Sequence, residues 1–184
     1  MSNPVVVLVE GHSDVAALEV LANAQGVRDR VDLVAMGGVT NIRRHLGALA
    51  TQRPEAVVLG VCDAGERRYL ERAEGLAGVF VCDRDLEDEL IRAVGPDQVV
   101  GLLDELGELR RFRTFQDQPE WRERDLVDQL QRFAGTASGR KAVFARRLAQ
   151  AIDGGRIPEP LAQLFATIRQ GLTSAGGSAG GPAG

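Results

Sequence analysis

Aromatic side chains make up only 4% of the 184 residues, and histidine occurs twice. A core of ordinary size must therefore be built from Val, Leu, Ile and Ala, within an apolar content of 44%. His12 and His45 have no partner at metal-ligand spacing, which argues against a zinc centre. Two cysteines make no disulfide framework. Cys62 and Cys82 each follow an apolar run and read as small core residues. No apolar run approaches a membrane span, and the N-terminus has no basic-then-apolar leader. A cytoplasmic protein without membrane contact is expected. The net charge of −4 excludes a surface coated for non-specific nucleic-acid binding. A local basic groove, or acids neutralised by a metal, remain compatible with it. Lysine is all but missing: Lys141 is the only one among 22 basic residues.

What is present is an alternation of strand and helix. Val5 to Val9 is a continuous β-branched run, as expected of a parallel strand buried on both faces. Val15 to Ala24 has helical spacing, with Ser13 or Asp14 as the expected N-cap. Val31 to Met36 is a second strand ended by Gly37-Gly38, and Thr40 or Asn41 should cap a helix through Ala50. Ala56 to Val61 is a third strand, followed by a helix from Arg67 to Glu74. Val79 to Val81 is a fourth, followed by a helix from Leu86 to Val94. This order predicts an α/β fold with a four-stranded parallel sheet and right-handed crossovers over residues 1–95.

After Pro96 no segment reads as a strand. Val99 to Leu109, Arg124 to Phe133, Gly139 to Ile152 and Pro160 to Leu172 read as helices, giving an all-helical extension over 96–170. Residues 171–184 are Gly, Ser, Ala and Pro with almost no charge, and are expected to be a disordered tail.

Acidic residues stand where the buried strands end. Glu10 follows strand one, Asp63 strand three, and Asp83, Asp85, Glu87, Asp88 and Glu89 crowd the turn after strand four. Ligands of an open parallel sheet bind outside the carboxyl ends of its strands. Carboxylates brought together there repel unless a cation joins them, and hard oxygen ligands suit Mg²⁺ or Mn²⁺. For Asp83, Asp88 and Glu89 a solvated helix face is the simpler reading. For Glu10, Asp63 and Glu87 the coincidence of three strand ends favours a site.

These residues resemble a known family. Val6-Val7-Leu8-Val9-Glu10-Gly11-His12-Ser13-Asp14 is similar to the first TOPRIM motif. Asp85-Leu86-Glu87-Asp88-Glu89-Leu90 after strand four looks most like the OLD (overcoming lysogenization defect) nucleases. The resemblance covers Val5 to Val94, and extends to Gly139-Arg140-Lys141 because OLD-type domains tend to carry a late-helix lysine. It implies a metal-dependent nuclease or nucleotidyl transferase acting on nucleic-acid phosphodiesters, DNA being the expected substrate. It makes Glu10 a metal ligand or general base, and Asp63, Asp85 and Glu87 metal ligands. The chain departs from the family at Gly65, where a second Asp is expected; Glu66, one residue later and longer, is the substitute. Gly11, His12, Ser13 and Arg140 are the expected phosphate neighbours. OLD nucleases usually carry an ATPase domain. This sequence has no Gly-x-x-x-x-Gly-Lys-Ser/Thr loop, so it reads as free-standing, with any ATP dependence coming from a separate ATPase protein.

Lys141 invites a functional reading. In an arginine-dominated chain a retained lysine suggests a need for a compact ammonium, which would act catalytically beside the phosphate. It shares a helical face with Ala145, Leu148 and Ile152; a lysine snorkelling from a helix start is the alternative. Ser13 fits a cap better than a nucleophile. Arg110, Arg111 and Arg113, with Phe112, Phe115 and Trp121, could grip a single strand or simply pack a helix with a solvated face, and the latter is favoured. Two functions follow: a metal-dependent nuclease, favoured by the acids, or a catalytically impaired module that binds nucleic acid or an ATPase partner, favoured by Gly65.

Overall fold

The computed structural model describes residues 5–136, 141–153 and 156–171. Four strands, β1 (Val5–Val9), β2 (Val31–Ala35), β3 (Val57–Asp63) and β4 (Gly78–Cys82), form one parallel sheet in the order β2-β1-β3-β4. Five β-branched or leucine residues make β1 fully buried. Side chains of a strand alternate between faces, and the two cores divide β1 accordingly. Val5, Val7 and Val9 enter one and Val6 and Leu8 the other. Cys82 lies in the first core and Cys62 in the second, both unpaired and buried, as small core residues.

The second core is thin. It is covered by α2 (Ile42–Gln52) and the short α3 (Arg67–Glu71) through Ile42, Leu46 and Leu70. At Gly60 of β3 an added Cβ would stand 2.6 Å from Leu70 Cδ2, so the absence of a side chain there lets Leu70 of α3 lie directly on the strand. The first core is thick. It holds α1 (His12–Ala24) and α4 (Leu86–Val94), and then α5 (Pro96–Glu105), α6 (Leu109–Gln116), α7 (Leu126–Thr136), α8 (Lys141–Ala151) and α9 (Glu159–Gly171). Helix α8 packs along α1, α7 on α4, and α9 on β4. The predicted α/β sheet followed by helices is thus what forms, and among the described residues no strand follows β4.

Several local expectations are corrected. The single helix expected from Val99 to Leu109 is two, because Gly107 adopts φ 69° and the Glu108 N–H turns back to the Leu103 carbonyl, closing a left-handed helix end. Helix α3 stops at Glu71 rather than Glu74. Neither Ser13 nor Asp14 is the N-cap of α1. Gly11 is, and Asp14 reaches back to accept its N–H at 2.8 Å. Asn41 precedes α2 without capping it, because its side-chain amide donates to the Met36 and Gly37 carbonyls instead. Residues 172–184, expected as a disordered tail, and Arg140 lie outside the described residues. No helix among the described residues is long and apolar enough to cross a membrane.

Candidate metal centre at the strand ends

Parallel strands deliver their carboxyl ends to one edge. Leu8 of β1 pairs with Gly60 of β3, so two residues further on Glu10 stands level with Cys62, beside Asp63. Glu10 is fixed by its backbone. Its carbonyl accepts the N–H groups of Gly37 (3.0 Å) and Gly38 (3.2 Å), both at positive φ, which tie the end of β2 to the end of β1. Asp63 closes β3, and its carbonyl accepts the Glu66 N–H at 2.9 Å in the turn that swings Glu66 back over the sheet edge.

The result is a triad: one carboxylate oxygen each from Glu10, Asp63 and Glu66 lies within 4.8 Å of the others. Glu10 is exposed and the other two are half-buried. Among the described residues no arginine or lysine pairs with any of the three, and the buried Oε2 of Glu66 has no hydrogen-bond partner. Burial, and then the carboxylates of Asp85, Glu10, Glu66 and Asp14, push Asp63 up to about 7. Burial and Glu10 also raise Glu66. An orphaned buried oxygen, two strained carboxylates and an all-oxygen donor set fit a hard divalent cation.

The other expected residues lie around this triad in different states. Asp85 is the N-cap of α4. It accepts the Asp88 N–H at 2.7 Å and a hydrogen bond from Gln131 of α7. Glu87 is buried, and the Lys141 ammonium of α8 stands 3.0 Å from its Oε1. Asp14, in the first turn of α1, is coupled electrostatically to both Glu87 and Glu10. Burial, and then Glu87, raise its carboxyl to about 7 against the opposing effects of the Gly11 N–H and Lys141. Partial burial lowers Lys141, but Glu87, Asp14 and Asp85 outweigh it and hold the ammonium charged. Of the expected phosphate neighbours, His12 is exposed, Ser13 is buried, and the Gly11 N–H is taken by Asp14.

Asp88 overturns its reading as a solvated acid. It is 1% exposed and bound by Arg92 at 2.8 Å and Arg84 at 3.5 Å. The i, i+4 spacing to both arginines was visible in the sequence, but not that α7 covers them: Arg84 also pairs with Asp128. Sequence reasoning also missed Asp14, because acids in a first helical turn have a sufficient local explanation.

No protein-family model matches the sequence, and no curated protein matches it. Solved structures do. The C-terminal region of the Xanthomonas campestris pv. campestris OLD protein, phased with mercury, superposes with a TM-score of 0.68 at 21% identity, covering 95% of this chain and 98% of that one. The fold is that of the OLD C-terminal region. The corresponding region of the Burkholderia pseudomallei OLD protein agrees, with a TM-score of 0.61 at 18% identity over 94% of this chain and 100% of that one. The coverage takes in α5 to α9, so the helices beyond β4 belong to the OLD-type fold as much as the sheet does.

Proposed function

We propose that the chain is a metal-dependent nuclease of the OLD TOPRIM type, cutting nucleic-acid phosphodiesters with Mg²⁺ or Mn²⁺, with DNA as the expected substrate. The observation that carries this reading is the uncompensated triad of Glu10, Asp63 and Glu66 at the sheet edge. These three residues would hold the ion, with Glu66 in the role left open by Gly65. The ion would supply Lewis-acid polarisation of the phosphoryl oxygens and acidification of water.

The remaining chemistry falls to the chain. Glu10, exposed at the edge of the triad, would serve as ligand or as acceptor of the proton lost by the attacking water. Lys141 carries a charge that Glu87 anchors and does not ligate, which suits it to offset charge developing on the phosphate. Asp85 and Glu87 are each engaged with a neighbour. They act as positioning residues, Asp85 for the start of α4 and Glu87 for Lys141.

The test is cleavage of plasmid DNA during a Mg²⁺ or Mn²⁺ titration, with Glu10→Gln as the comparison. The variant should fold normally and lose at least ~10²-fold in rate, the scale of even an indirect disturbance to a metal site. A second reading, a non-catalytic module binding nucleic acid or a separate ATPase, is favoured by Gly65 alone. It would be the outcome if the wild type binds Mn²⁺ and never cuts.

A further inference from the structure

Next to the acidic triad, on the thin side of the sheet, the charge reverses. A cavity of about 480 Å³ is lined by Arg43, Arg68 and Arg72 with Thr40, Ile42 and Tyr69. All three arginines are exposed, and none has a carboxylate partner among the described residues. Arg28, Arg53, Arg67, Arg84, Arg92 and Arg147 each pair with an Asp or Glu, whereas Arg44, Arg110 and Arg132 resemble these three in having no carboxylate partner among the described residues. What sets Arg43, Arg68 and Arg72 apart is that they line one cavity together beside α3. Three guanidiniums facing one cavity without a counterion repel one another, and an anion relieves that repulsion. A second cavity, of about 580 Å³, shares Arg43 and Arg72 and carries the basic surface further along α2.

The fold places this surface deliberately close to the triad. Helix α3, which carries Arg68, Tyr69 and its C-cap Arg72, starts immediately after Glu66. Thr40 belongs to the 3-10 turn Val39–Asn41, which follows the two glycines bonded to the Glu10 carbonyl and packs against α3. Tyr69 is one of two large apolar side chains left exposed among the described residues, at 41%, and Arg68 lies over its ring at 5.2 Å from the centroid. Cations tracking phosphates beside an exposed aromatic ring are the chemistry of single-strand binding.

We infer that the groove of Arg43, Arg68, Arg72 and Tyr69 seats the sugar-phosphate backbone of an unpaired nucleic-acid strand leading to the Glu10–Asp63–Glu66 site, with Tyr69 stacking on a base. This rests on the nuclease reading for what happens at the triad, but the binding itself does not require cleavage. The experiment is fluorescence anisotropy with a labelled single-stranded oligonucleotide, Ca²⁺ replacing Mg²⁺ so that binding is read alone. The triple variant Arg43→Ala/Arg68→Ala/Arg72→Ala should bind at least ~10-fold more weakly. Its log–log salt slope should be shallower by about 2, from roughly 0.7 per phosphate contact on a single strand. Its Mn²⁺ affinity and melting temperature should be unchanged. Tyr69→Ala should weaken the single strand and Tyr69→Phe should not, since stacking needs the ring and not the hydroxyl. The control Arg110→Ala/Arg113→Ala, on α6, should bind like the wild type.

Wild-type affinity and salt slope in the triple variant would overturn the groove. So would competition by inorganic phosphate as effective as that by unlabelled oligonucleotide, which would mark a free-anion site. A wild type that binds the strand through these arginines and cuts nothing would uphold the groove and sink the nuclease reading.

Discussion

Two acidic clusters sit on adjacent strand ends and are treated in opposite ways. After β4, Asp88 is buried but held by Arg84 and Arg92, and Glu89 takes Arg92 as well, at 3.2 Å. After β3, Asp63 and Glu66 join Glu10 with no arginine or lysine paired to any of them among the described residues. What separates the two clusters is thus the counterion and not the unbonded oxygens, which Asp88 has as well. A folded protein rarely leaves half-buried carboxylates unpartnered without a use for them. The first cluster carries its own counterions, Arg84 and Arg92, although burial still outweighs them and raises the Asp88 carboxyl. The second is left incomplete, and completion is a metal's role. Lys141 and Glu87 form a third state between them, one buried carboxylate with one ammonium on a side chain that is about half exposed.

This contrast predicts where substitutions act. The largest effect should come from the intermediate pair. Lys141→Arg and Lys141→Ala should each lower cleavage by ~10²-fold or more, because removing one charge-stabilising group from such a site costs that much. Mn²⁺ binding, followed by calorimetry, should be retained. Full activity in the arginine variant would reduce Lys141 to an ordinary surface charge.

Next, the two clusters should respond to amide substitution with opposite signs. Asp88→Asn should lower the stability of the metal-free protein by about 1–3 kcal/mol, the cost of breaking a buried pair discounted for the exposure of both arginines. Asp63→Asn should raise stability in the metal-free state and remove the stabilisation that Mn²⁺ confers on the wild type. Thermal melts with and without Mn²⁺ read both. A destabilised Asp63→Asn would show that the triad is already satisfied without a metal.

A pH series sharpens the same point. Burial and neighbouring carboxylates push Asp63 and Asp14 up to about 7, above the ordinary aspartate value of 3.8. The folded state therefore holds extra protons between those values. Metal-free stability should fall as pH rises from about 4 to about 7 and change little above that. Mn²⁺ displaces those protons, so its stabilising effect should grow from pH 5 to pH 8. A metal effect independent of pH would place the ion elsewhere.

The smallest effect is expected at Gly65. An added Cβ there meets nothing within 4 Å, so the backbone at Gly65 has room for a side chain and Gly65→Asp can be made without a clash at its first atom. It should tighten Mn²⁺ binding modestly, by roughly tenfold or less, on the scale of an added outer ligand. No change would mean that Glu66 already fills that place.

The sheet was legible because buried parallel strands are written as near-continuous apolar runs rich in β-branched residues. Val5–Val9 is nearly all valine, and residues 57–62 of β3 are apolar apart from Gly60. Strand ends fixed the positions of Glu10 and Asp63, and chain order fixed which edge they share. The partners of the acids were less legible, because they come from distant helices. Arg84 and Asp128 are 44 residues apart, and Asp85 and Gln131 are 46 apart. The role of Asp88 turned on that coverage, which no local pattern encodes. The break at Gly107 was within reach, since a glycine between two apolar periodic segments is a helix-end signal. The basic groove was not, because Arg43 lies well apart in sequence from Arg68 and Arg72 and only the packing of α3 on the Val39–Asn41 turn joins them.

In the order β2-β1-β3-β4, the strands bearing Glu10 and Asp63 are the two inner ones, each hydrogen-bonded on both sides. Amide protons of inner strands exchange with solvent only when the cooperative unit opens as a whole, whereas edges and short helices open locally at far lower cost. Glu10 and Asp63 therefore ride on the part of the molecule slowest to breathe. Helix α3 can fray, and with it the groove arginines, while the spacing between Glu10 and Asp63 persists until the domain itself comes apart.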